Sequence, residues 1–192
     1  MLFAADRPWE IGDIVNGIGA IEKRIGVPAM HAVNGSTQAF WAEFLRSTPN
    51  ASDAENRRYE AMRIGDTRES GNHGAQLILS GAKTATSSLE WEYEQLDKAR
   101  PQIGSLSVVE NGQGEPVCIV ETTWLEILPF EQIDAAFAAA YGEWDGTLET
   151  WRTENWAYNS KRCRALGRTP TLDMPLVCER FKVVYKSPYT GA

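Results

Sequence analysis

The chain has 192 residues, 43% of them hydrophobic, and a formal net charge of -7. That size and composition predict a soluble globular protein, one domain preceded by an N-terminal extension, and exclude a fibrous or low-complexity chain. The acidic balance argues against a grip on extended duplex DNA, and no apolar run approaches the roughly 20 residues needed to span a bilayer.

Charge and proline in Met1-Leu2-Phe3-Ala4-Ala5-Asp6-Arg7-Pro8 interrupt any secretory apolar stretch, so a cytoplasmic location is expected. Cys118, Cys163 and Cys178 are odd in number and widely spaced, with only His31 and His73 to help them. Reduced thiols, no structural zinc and no cofactor are the corresponding expectations.

In chain order, Ile11, Ile14, Val15, Ile18, Ile21 and Ile25 recur at helical spacing and predict a helix in an extension over residues 1–35. Ser36 or Thr37 is placed to cap a second helix with Phe40, Trp41, Phe44 and Leu45 on its apolar face, and Ser47 to Asp53 reads as a loop. Leu77-Ile78-Leu79-Ser80 reads as a last helical turn, with Gly81 in the left-handed position that closes it. The next segment, Ala82-Lys83-Thr84-Ala85-Thr86-Ser87-Ser88, should be extended. Lys83 and Thr86 are an odd number of residues apart, so they converge only if the backbone turns or bulges between them.

Downstream, Leu106-Ser107-Val108-Val109-Glu110 and Val117 to Leu128 are β-rich runs joined by a hairpin signal at Asn111-Gly112-Gln113-Gly114. Ile133, Ala136, Phe137 and Ala140 mark an amphipathic helix stopping near Gly142, and a further helix is predicted from about Thr147 to Tyr158. The last run, Val177 to Tyr185, puts Val177, Phe181, Val183 and Tyr185 on one face, with Glu179 as the exception, and Arg180 and Lys182 on the other. Strands and helices do not alternate regularly, which favours an α+β domain on a small, curved or barrel-like sheet.

Lys83 and Thr86 are the residues best suited to chemistry. A Thr hydroxyl is a poor nucleophile at neutral pH and needs a neighbour to accept its proton, which a desolvated Lys of lowered pKa can do. Glu121 is a competing carboxylate, set in the apolar run Val117 to Glu121, where its charge needs a partner such as Lys83. Trp91, Tyr93, Trp144 and Trp151 suit stacking on a base, although core packing is the commoner fate of such residues. Lys161, Arg162, Arg164 and Arg168 form a basic run, either a solvated face or a phosphate patch, whereas residues 131–150 carry five acids and no Lys or Arg. Arg152 can reach a phosphate or neutralise Glu149 or Asp145.

The order of these features resembles the ASCH domain family over roughly residues 36–185. The resemblance rests on Phe40-Trp41 and Phe44-Leu45, on Gly81-x-Lys83-x-x-Thr86-x-Ser88-Leu89-x-Trp91-Glu92-Tyr93, and on Pro101-x-Ile103-Gly104 with Asn111-Gly112-x-Gly114-x-Pro116-Val117-Cys118. Gly142-Glu143, Leu148, Trp151-Arg152 and Met174-Pro175-Leu176-Val177-Cys178-Glu179-Arg180-Phe181 continue it, so the domain is expected over 36–192. It implies a PUA-like fold, a small β-barrel flanked by helices, with a cleft beside the Gly-x-Lys-x-x-Thr loop for RNA or a modified nucleoside. Members that resemble this chain more distantly hydrolyse the acetyl group of N-acetylcytidine, and others are described as RNA-binding proteins or ribonucleases. By position, the amidohydrolase residues fall on Lys83, Thr86 and Glu143, and the glycine-rich loop around Gly81 would supply N–H groups to a developing oxyanion. The chain departs from that branch at Ser88, where the branch carries Arg, at Tyr141, where an acid is common, and at Asn155, where His often stands.

Overall fold

The computed structural model describes residues 34–48, 53, 54, 57 and 59–186. The helix expected from Ile11 to Ile25, and with it nearly all of the 1–35 extension, lies outside the described residues.

Five strands form one mixed sheet: β1 (Tyr59–Met62), β2 (Ala85–Leu89), β3 (Leu106–Glu110), β4 (Pro116–Pro129) and β5 (Pro175–Lys186). Their spatial order is β1-β3-β4-β5-β2; β1 runs parallel to β3, and the other neighbours are antiparallel. β1 and β2 are the two edges, so the sheet stays open and the expected barrel does not close. The hairpin between β3 and β4 turns at Asn111–Gly114 as its sequence requires, with Gly114 at φ 81°.

The helix α1 (Gly35–Ser47) is capped two or three residues earlier than its sequence suggested. Asn34 is the N-cap, and Ser36 and Thr37, the expected caps, both donate their hydroxyls to its Oδ1. Phe40, Trp41 and Phe44 of α1 are buried against Leu106, Val108 and Ile119 of the sheet. The helix α2 (Arg68–Ser80) starts from a Thr67/Ser70 capping box and ends at Gly81, φ 79°, as predicted. The short α3 (Glu90–Gln95) follows β2 directly.

The helix α4 (Ala135–Tyr141) stops at Gly142, φ 70°, and α5 (Leu148–Ala165) starts at Thr147 but runs a further seven residues past Tyr158. These two helices bury Phe137, Tyr141, Trp151 and Cys163 against Ala85, Leu89, Leu176 and Cys178. No helix among the described residues is long and apolar enough to cross a membrane.

Two loops distant in sequence are clamped together at the C-terminal end of α2. A Cβ added at Gly142 would lie 2.0 Å from the Ala82 carbonyl oxygen and 2.7 Å from the Lys83 Cα. Thr84 donates its N–H to Ala140 O at 2.8 Å, and Phe181 donates its N–H to Thr84 O at 2.9 Å. Gly142 is therefore fixed twice, by its positive φ and by contact. Gly142→Ala should lose roughly 3 kcal/mol or more of stability, against about 1 kcal/mol for Gly81→Ala, where only φ is at stake and the added methyl meets open space. Urea denaturation of the two variants beside the parent measures the difference; equal losses would mean that the clamp is soft.

Candidate functional site

The sheet face that should be plain core carries a row of polar side chains, one from each strand. Glu60 of β1 is in register with Ser107 of β3, and Thr86 of β2 with Glu179 of β5. Thr122 of β4 joins the row by donating its hydroxyl to Glu179 Oε2 at 3.0 Å. Residues two apart on a strand share a face, which adds Met62 and Ser88 to the same side. A cavity of about 330 Å³ opens above this row, within the size range of small-ligand sites. Its walls come from the 63–66 loop, from Glu92 and Tyr93 of α3, from Tyr141 to Trp144, and from Asn155, Tyr158 and Arg162 of α5.

Lys83 lies beneath this cavity rather than in it, with its side chain wholly enclosed. Its ammonium donates to Tyr141 O at 3.0 Å, meets Glu143 Oε1 at 2.7 Å and sits 3.4 Å from the centre of the Tyr141 ring. Glu143 lines the cavity with its side chain 21% exposed, so it stands between the amine and the ligand space. Burial pulls the Lys83 pKa down, the charge and hydrogen bond of Glu143 pull it back up, and the balance lies at about 8. The irregular segment that the Lys83/Thr86 pair required runs from Gly81 to Thr84, and Thr86 then stands in regular β2 with its side chain at the cavity.

Tyr141 is buried between these groups. Its phenol is pushed up by burial and then by the Glu143 charge, while Thr86 and Ser87 act in the other direction. Trp144 stacks on Tyr141 with ring planes 7° apart, is 50% exposed, and holds φ 56°, a conformation that a bulky residue rarely adopts. A positive φ at a non-glycine residue lining a cavity is the kind of local strain that clusters at binding and active sites.

Ser88, also at the cavity, exchanges a hydrogen bond of 2.9 Å with the Tyr93 hydroxyl. The remaining expected site residues lie elsewhere. Gly81 closes α2, and Trp151 is a core residue packed on Phe130. Trp91 lies under the Arg168 guanidinium, and Arg152 donates to Glu131 O. Arg164 is on the exposed side of α5.

Glu121, expected to partner Lys83, pairs with Arg57 at 2.9 Å and Lys182 at 3.2 Å. The expected Lys83–Glu121 pair does not form, because Arg57 and Lys182 already neutralise Glu121 and the Lys83 ammonium is taken up by Glu143 and the Tyr141 carbonyl. The basic run divides: Arg162 turns inward to an ion pair with Glu92, Arg168 pairs with Glu94, and Lys161 stays exposed.

Sequence reasoning missed Glu60, Glu92 and Glu179. Glu179 had a signal, a lone charge on the apolar side of the closing strand. Glu60 had none, because four residues of edge strand in a polar stretch carry no period. Among the described residues no three His, Cys, Asp or Glu side chains gather as a metal ligand set.

The fold and cavity define an α+β domain with a ligand-sized cleft on an open mixed sheet. The ASCH domain family profile matches residues 60–185. Among solved structures, the chain is similar to an ASCH domain from Lactobacillus crispatus, at 35% identity and TM-score 0.75 over 81% of this chain and 98% of that one. It is also similar to protein EF3133 from Enterococcus faecalis, of the DUF984 family, at 30% identity and TM-score 0.66 over 78% and 88% of the two chains. No curated protein matches the sequence. The chain belongs to the ASCH domain family.

The Lys83–Glu143 contact makes a direct prediction. Because Glu143 raises the Lys83 pKa against burial, Glu143→Gln should move it below 8, so that the amine loses its proton at lower pH. A pH titration of the lysine side-chain resonances by NMR reads this; an unchanged value would mean that Glu143 does not hold the amine.

Proposed function

We propose that the protein binds a nucleoside or the base of a single-stranded RNA in this cleft and hydrolyses it, with an N-acetylcytidine-like amide as the preferred chemistry. The observation that carries the reading is the meeting of Thr86 and Glu143 at one ligand-sized cavity, with the buried Lys83 amine, its pKa near 8, held directly behind Glu143. A hydroxyl, a carboxylate and a tunable amine are the parts that acyl transfer needs. Membership of the ASCH family, with its kinship to PUA-like RNA-binding modules, supports the ligand class, and a cytoplasmic setting is consistent with it.

In this mechanism the Thr86 oxygen adds to the amide carbonyl and its proton passes to Glu143. Collapse of the tetrahedral adduct breaks the C–N bond as Glu143 returns that proton to the departing amine. Water then cleaves the Thr86 ester, with Glu143 taking and returning a proton in the same way. Lys83 holds Glu143 aimed through their 2.7 Å contact, a positioning role that its enclosure favours over direct contact with substrate. Trp144 offers a face for the base, a contact worth roughly 1–3 kcal/mol in single-strand readers.

The enclosure of Lys83 also favours a second reading, a noncatalytic RNA-binding module in which the Lys83–Glu143 pair is only a structural pin and Lys161 and Arg164 touch phosphate. The two separate on turnover. Purified protein should release cytidine from N-acetylcytidine, or cut a labelled single-stranded RNA, and Thr86→Ala should lower that rate on the order of 10³-fold with ligand affinity nearly unchanged. Absence of turnover on both substrates, with binding retained, would leave the module.

A further inference from the structure

We propose that Glu179 reads the base. Its carboxyl, anchored by the Thr122 hydroxyl, meets a Watson–Crick edge on which a ring acceptor nitrogen adjoins an exocyclic N–H, a pattern that cytosine and adenine present there and that uracil and guanine do not. This rests on the nucleoside reading of the cleft and adds the residue that selects among bases.

The placement comes from the sheet. Glu179 lines the cavity from β5, the central row's one residue flanked on both sides by hydroxyl-bearing strands, Thr122 on β4 and Thr86 on β2. A direct cross-strand pair has Cβ atoms about 5 Å apart. An exocyclic nitrogen held by Glu179 therefore lies beside Thr86, the hydroxyl assigned to attack a group carried on such a nitrogen.

The protonation state follows from the surroundings. Burial pushes the Glu179 carboxyl up, the Thr122 hydrogen bond holds it down, the like charge of Glu60 on β1 pushes it up again, and the result is about 7. Tyr93 faces it from α3 with its phenol pushed up by burial, and the Cys178 thiol beside it on β5 is pushed up to about 12, so neither brings a compensating positive charge. On the far wall the Arg162 guanidinium is engaged by Glu92. Arg63 and Lys98 line the cavity with Asp66, Glu143 and Glu154 among them.

Below pH 7 Glu179 is accordingly a neutral acid, which presents a donor and an acceptor side by side. Oε2 has two lone pairs, one for the Thr122 hydroxyl and one for the exocyclic N–H of the base, while the other oxygen donates to the ring nitrogen. Above pH 7 the ionised group only accepts, and that match is lost. Glutamine repeats the neutral pattern without the titration.

Binding of cytidine, adenosine, uridine and guanosine to the full chain, measured by calorimetry at pH 6 and pH 8, tests this. The parent should prefer cytidine and adenosine by about 10-fold at pH 6, as one bidentate base contact predicts, and lose most of that preference at pH 8. Glu179→Gln should keep the preference at both pH values, and Glu179→Ala should abolish it. Nucleosides that bind with the same preference and pH profile in Glu179→Ala would overturn the role of Glu179 and leave the cleft reading standing. Failure of all four to bind the parent at either pH would remove both.

Discussion

The close approach of the turn at Gly142 to the backbone of Ala82 and Lys83 is the constraint on which the site depends. Only a residue without Cβ fits there, since the Ala82 carbonyl occupies the space a methyl would need. With the contact made, the Lys83 side chain is shut inside, and its ammonium must find partners there or carry an uncompensated charge. Glu143, the Tyr141 carbonyl and the Tyr141 ring are those partners, and each belongs to the same turn. One steric contact thus aligns the end of α2, the start of β2 and the end of α4 around a single cation.

The arrangement costs stability. Glu179 and Glu60 lie on a sheet face that α2 otherwise covers with Ala75 and Ile78 packed on Val109, Val120 and Phe181. Lys83 is desolvated, and Trp144 holds a positive φ. Apolar side chains at the first three positions would make an ordinary core, and a glycine would relieve the fourth. Features that disfavour folding and converge on one cavity are what the proposed ligand role of the cleft would explain.

Much of this was legible in the sequence. The β3–β4 hairpin, the glycine stops of α2 and α4, and the closing strand were written in turn residues and apolar periods, which act locally. The family pattern singled out Lys83, Thr86 and Glu143, and the structure brings Glu143 to the amine and puts Thr86 at the same cavity as Glu143. What was not legible depends on register. Glu121 and Thr122 are adjacent in sequence and point to opposite sides of β4, and nothing local says that Thr122 meets Glu179 while Glu121 meets Arg57 and Lys182. The α1 cap shifted to Asn34 because that residue also donates to Glu110 and Gly114 O of the β3–β4 hairpin, a tertiary bond that no cap propensity includes. The sheet is open with β1 and β2 at its edges, and the four residues of β1 are ones the sequence leaves unmarked.

The disposition of charge bears on the size of the ligand. Glu121 engages Arg57 and Lys182, Glu94 engages Arg168, and Glu90 engages Arg100, so several of the basic groups are matched before any phosphate arrives. Six acids line the cavity (Glu60, Asp66, Glu92, Glu143, Glu154 and Glu179) against three basic residues, Arg63, Lys98 and Arg162. A phosphate entering it would meet net negative charge in a space of low dielectric, where repulsion is screened little. A neutral base and sugar would meet hydrogen-bonding groups and the face of Trp144. On the proposed reading a longer strand would leave its phosphates outside, toward the exposed Lys161 and Arg164 of α5, and turn one base inward. This balance of charge favours, on that same reading, a single nucleoside unit, free or projecting from a chain, over the nucleic-acid backbone.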